Sequence, residues 1–143
     1  MRKSEEVLQA FFAALEAAAP AGAEVRRNLS VPAEIPEAGV LILRDGKPGR
    51  PEGSLSGGPY LFDHRADVDV IVRDGEAPRD VTFDLLVQAV GAAVAGDRTL
   101  GGLCDWVEAT APRPVDLAEK GAGPIKAAIV EVTLSYEAPT ALG

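Results

Sequence analysis

"YLFDHRADVDVIVR", residues 60–73, alternates along its whole length. Phe62, His64, Ala66, Val68, Val70 and Val72 occupy the even positions. Asp63, Arg65, Asp67 and Asp69 occupy the odd ones, with Leu61 and Ile71 as the exceptions. Successive side chains of a strand point to opposite faces, so this spacing predicts a strand with one apolar and one charged side. "IKAAIVEVTLSYEA", residues 125–138, repeats the pattern, with Ala128, Val130, Val132, Leu134 and Tyr136 set against Glu131, Thr133, Ser135 and Glu137. Two long strands, each with one polar face, point to a mostly antiparallel sheet covered on one side.

Two segments have the period to supply that cover. In residues 3–19, Val7, Leu8, Phe11, Phe12 and Leu15 recur at helical spacing, with Ser4 as the expected cap and Glu5 and Glu6 at the positive end of the dipole. Residues 77–96 form the second helix. Pro78 sits in its first turn, Val81, Leu85, Ala89, Ala92 and Ala93 make its apolar stripe, and Gly96 ends it. Shorter strands are expected at 23–31, at the almost wholly apolar 39–46 and at 103–109. Residues 46–59 and 111–124, dense in Gly and Pro, read as a flexible loop or hairpin tip and as a loop. The order is α-β-β-β-α-β-β. The sequence therefore predicts one α+β domain over 1–143: a mostly antiparallel mixed sheet of about five strands with two helices on one face.

Composition narrows the function. The 143 residues are 47% hydrophobic and 25% charged, as expected for a globular chain, and the net charge is −8. That balance argues against a nucleic-acid binder held by Lys and Arg on phosphates. One cysteine, Cys104, excludes an internal disulfide and fits a reducing compartment. Glu5, Glu6 and Glu16 interrupt the first apolar run, making it a poor signal peptide, and no stretch is apolar for long enough to span a membrane. These features predict a soluble cytoplasmic protein.

Reactive groups are few. Asp63, His64, Asp67 and Asp69 suggest a metal site, but in a regular strand His64 points away from the three carboxylates. Asp67 and Asp69 alone could hold a weak divalent cation, which leaves a small metal-dependent enzyme or binding protein as the alternative. Cys104 needs a base, and His64 is the one imidazole in the chain. Ser54 and Ser56 lack a nucleophile elbow, and neither "GGPY" nor "GAGP" has the Lys-Ser/Thr ending of a phosphate loop. A protein without catalysis, metal or cofactor is expected.

"DRTLGGLCDWVEAT", residues 97–110, is the other telling stretch. A helix followed by "DRTLGG", a short strand, a turn-rich loop and a long strand reading "IKAAIVEVTLSYEAP" resembles the tail terminator (tail completion) proteins of long-tailed bacteriophages and of phage-derived gene transfer agents. The N-terminal helix and the "HRADVDVIV" strand fit the same order, so the similarity covers most of the chain. The resemblance implies a non-catalytic virion subunit that forms a ring, typically a hexamer. Such a ring caps the tail tube, ends its growth and docks head-connector proteins in head–tail joining, while DNA passes through the hole. Its partners would be its own copies, the major tail tube protein and a head-completion protein. It would sit in the host cytoplasm during assembly and then at the head–tail junction.

In that light Asp97 caps the turn after the second helix, Arg98 reaches the helix-end carbonyls, Leu100 anchors the turn, and Gly101 and Gly102 take positive φ. Trp106 is large enough to cover a sheet edge or fill a subunit contact. Arg44, Lys47 and Arg50 form a basic arm in an acidic chain, and Asp63, Asp67, Asp69 and Glu131 are its candidate acidic partner or a candidate lumen wall. A ring built head to tail needs two unlike patches of this kind.

Overall fold

The computed structural model describes residues 1–53, 56–116 and 125–143. The two alternating segments are β3 (Tyr60–Arg73) and β6 (Ile125–Ala138), paired antiparallel over all fourteen residues, from Tyr60 opposite Ala138 to Arg73 opposite Ile125. Their even faces are buried, as period two requires. Around them lie α1 (Lys3–Ala18), β1 (Glu24–Arg27), β2 (Val40–Lys47), α2 (Arg79–Gly96), β4 (Trp106–Ala109) and β5 (Arg113–Val115). The sheet runs β1-β2-β3-β6-β4, with β5 also on β6. Every pair is antiparallel except β1 with β2. The α+β class and element order match the sequence reading, with β5 as a sixth strand.

Both helices cover one face. Val7, Phe11 and Leu15 of α1 and Leu86, Val90 and Val94 of α2 pack with Leu41, Leu43, Phe62, Val68 and Val70 in the main core. Ser4 does not cap α1. Arg2 precedes the helix without a side-chain cap, and Ser4 lies buried in the first turn, its Oγ beside the Tyr136 hydroxyl but without good hydrogen-bond geometry. The stripe of α2 is also offset from the expected one. Thr82, Leu86, Ala89, Val90, Ala93 and Val94 are buried, whereas Val81 and Leu85 are half exposed and Ala92 is exposed. Apart from Asp84 and Gln88, apolar residues occupy most of this helix's circumference, so the period alone does not say which side turns inward.

The opposite sheet face is partly covered as well. Val40, Ile42, Ile71 and Ala127 form a second cluster beneath Ile35, with Val115 at its side. That explains the wholly apolar run in β2: Leu41 and Leu43 face the helices, and Val40 and Ile42 face this smaller cluster.

The far edge is one strand in two pieces. β4 pairs with β6 from Trp106 opposite Ser135 to Ala109 opposite Val132, and β5 resumes with Arg113 opposite Ile129, shifted by one residue. Pro112 and Pro114 hid β5 from the sequence reading, because proline is admitted in sheets chiefly at edges. Of the expected 111–124 loop, residues 117–124, which include "GAGP", lie outside the described residues, as do 54–55 of the 46–59 segment. Within the latter, β2 extends to Lys47 and Glu52 bridges Leu61.

Candidate functional site

The outer face of the sheet gathers most of the charged residues singled out above. Arg44 stands opposite Asp67 and donates to Asp69 at 2.7 Å. Asp67 also stands opposite Glu131. Burial first, and then the charges of Asp69 and Glu131, push the Asp67 carboxyl above the usual carboxylate range against the pull of Arg113 and Arg44. Asp63 accepts a 2.7 Å hydrogen bond from the Ser135 hydroxyl. Asp69 is therefore engaged with a guanidinium. Among the described residues no three His, Cys, Asp or Glu side chains come together as metal ligands.

Lys47 stands directly opposite Arg65, a like-charge pairing that costs stability unless something outside the pair compensates. Together with Arg50 they border a groove of about 500 Å³ that also takes in Glu52, Asp63 and Asp105. None of these six forms an ion pair among the described residues.

His64 is fully buried, deeper than the half-burial the sequence suggests. Its Nε2 lies 2.5 Å from the Asp45 carbonyl oxygen and its Nδ1 lies 2.8 Å from the Tyr136 hydroxyl. A carbonyl only accepts, so Nε2 carries the proton and Nδ1 accepts from Tyr136. Cys104 is buried, its thiol pushed up to about 11 by burial and by Asp105 and Asp97, and its Sγ points to the Arg98 carbonyl at 3.8 Å. With both imidazole nitrogens engaged elsewhere, the structure does not assemble a thiol–imidazole pair. A further cavity, of about 320 Å³, lies beside β5 between Phe83, Pro114 and Lys126, and among the described residues its lining holds no His, Cys or Ser.

His64 makes a pH prediction. Burial holds the ring below its ordinary 6.5, outweighing the Asp45 carbonyl, which favours the charged form. Above 6.5 the ring is neutral in both folded and unfolded chains. Below it the unfolded chain takes up a proton that the folded one refuses, so stability falls by up to about 1.4 kcal/mol per pH unit until the folded ring titrates. Urea titrations of wild type and His64→Gln at pH 7 and pH 5 check this. The wild type should lose more between the two than the variant does.

The 97–110 stretch is a connector with a clip built on it. Asp97 Oδ1 accepts from the Thr99 backbone N–H and hydroxyl, and Oδ2 accepts from Gly101 N–H at 2.7 Å. Those bonds hold the Asp97 carboxyl below the usual range, Gly101's first. Leu100 is buried, and Gly101 and Gly102 take φ of 70° and 91°, which side-chain-bearing residues resist. Arg98 departs from expectation. It leaves the helix end, donates to the Val107 carbonyl at 2.9 Å, pairs with Glu108 at 3.1 Å and lies over the Trp106 ring at 4.8 Å. Trp106 Nε1 donates to the other Glu108 oxygen at 3.2 Å, and the indole is 50% exposed. Tyr136, Asp45, Glu108 and Arg113 take part in these sites although the sequence did not flag them. The signal was cross-strand register, which one sequence does not carry.

No protein-family model matches the chain, and no curated protein matches it. Among solved structures it is similar to the sheath/tube terminator, in the extended state, of PVC, an extracellular contractile injection system. The two share 12% identity, with a TM-score of 0.43, over 90% of this chain and 54% of the other. The chain thus spans about half the length of that protein, and a likeness of that degree assigns no role.

Proposed function

We propose that this chain is a structural subunit that assembles into a closed ring, a hexamer, at the end of a tail tube. There it ends tube growth, docks a head-connector protein and lets DNA through its hole. Trp106 carries the proposal. A large aromatic, half exposed and fixed on a sheet edge by Arg98 and Glu108, has the character of an interface anchor: rigid, amphipathic and already ordered before it meets a partner. The resemblance in element order and in the "DRTLGG" turn supports the tail, in a phage or a gene transfer agent. The net charge of −8 suits a hole that does not retain DNA. The dispersal of His64, Cys104 and the outer-face carboxylates supports a role by shape rather than by turnover.

Size-exclusion chromatography with light scattering tests it. Wild type is expected to form one closed oligomer as concentration rises, and Trp106→Ala to keep its circular dichroism while association weakens by about tenfold or more. A wild type that stays monomeric at millimolar concentration overturns the proposal.

A further inference from the structure

We infer that the joint between copies is an antiparallel pairing of β1 of one copy with β4 of the next, Arg26 facing Glu108. This rests on the ring reading and adds which surfaces meet.

The two edges match in length and in the direction of their free groups. β1 and β4 are four residues each. Glu24 N–H bonds to Gly39, the residue before β2, and Asn28 N–H to Leu43 within it, so the backbone groups of Val25 and Arg27 face outward. Thr110 N–H bonds to Glu131, so those of Val107 and Ala109 face outward at the other edge. In the lone subunit β4's outward groups are occupied by side chains: Arg98 on the Val107 carbonyl and Glu108, at 3.4 Å, on Ala109 N–H. Natural sheets shield open edges in this way. A partner strand satisfies the same two groups with backbone and frees Glu108.

Direction follows from topology. β1 runs parallel to β2, and each further step from β2 through β3 and β6 to β4 is antiparallel, so β4 runs opposite to β1. Rotation about an axis along the strands preserves these directions. A closed ring of that kind brings β1 and β4 together antiparallel, as a head-to-tail contact.

Register follows from parity and charge. Setting Val25 opposite Ala109 and Arg27 opposite Val107 makes both outward pairs hydrogen-bonded and puts Arg26 opposite Glu108. Of the two registers two residues away, one puts Glu24 opposite Glu108, two like charges, and the other puts the uncharged Asn28 there, with no ion pair to gain. In the favoured register Val25 and Ala109, both partly buried beside the main core, cover each other. Pro112 and Pro114 confine the pairing to β4. Five strand positions per copy, spaced about 4.8 Å, give a hexamer a circumference of about 145 Å and a diameter of about 45 Å.

Cross-linking tests the pairing on the full chain. Arg26→Cys with Glu108→Cys should give, on mild oxidation, a ladder that stops at one closed species. A mixture of the two single variants should stop at dimers, and each single variant alone should not cross-link, since Cys104 is buried. Ala109→Pro removes an outward N–H that the chain's own ladder does not use, and should melt like wild type without assembling. Arg26→Glu should weaken association by about tenfold or more, and Arg26→Glu with Glu108→Arg should restore it. If wild type forms rings while the cysteine pair stays uncrosslinked, or Ala109→Pro assembles normally, this joint is wrong and the ring stands. If wild type forms no ring at all, both fall.

Discussion

Gly46→Val is expected to leave the chain unable to hold its fold. Gly46 sits at the irregularity between Arg44 and Lys47, with φ of +67°, and a Cβ there falls onto the Arg65 carbonyl oxygen of the paired strand. A left-handed backbone alone costs a side-chain-bearing residue about 1–2 kcal/mol. The collision is with backbone, so no rotamer relieves it, and the hairpin has to open. The total is expected to reach about 4 kcal/mol or more, a large part of the 5–15 kcal/mol that holds a typical domain. Gly57→Ala is the control. Its φ is +76° but a Cβ there meets nothing within 4 Å, so about 1 kcal/mol is expected. Urea midpoints of the two variants against wild type measure the difference, and equal losses would refute the steric account.

Tyr136→Ala is expected to cost about 3–5 kcal/mol, the range for emptying a buried aromatic site. Tyr136 is 1% exposed, stacks on Phe62 with ring centroids 5.5 Å apart, and supplies the proton that His64 Nδ1 accepts. Tyr136→Phe separates the two contributions. It keeps the ring and leaves a buried acceptor unsatisfied, for about 1–3 kcal/mol. Thermal melts with calorimetry check both. A phenylalanine variant as stable as wild type would mean that the imidazole acceptor has no energetic need of its partner.

What the sequence disclosed follows from where one physical signal dominates. β3 and β6 were legible to the residue because each has one face in the core and one in water, and a period of two survives in composition. α2 was legible as a helix but not in its rotation: with Val81 and Leu85 as apolar as Leu86 and Val90, neighbouring stripes score alike, and packing chose between them. β5 was missed because its prolines read as loop. The partners of His64 and Arg98 were invisible for a different reason. Tyr136 lies 72 residues from His64, and Val107 comes within reach of Arg98 only once the "TLGG" turn has reversed the chain.

The full pairing of β3 with β6 bears on how the protein is made. Residues 60–73 leave the ribosome more than fifty residues ahead of 125–138 and must wait for them, because the middle of the sheet is a contact between distant parts of the chain. Until then Phe62, Val68, Val70 and Val72 have helices above them but a missing neighbour along one whole side. Such non-local topologies fold slowly and stay open to misassociation meanwhile. Yield during synthesis is thus set by the last long strand to emerge, and a nascent chain stalled before residue 125 is the species a chaperone would have to shelter.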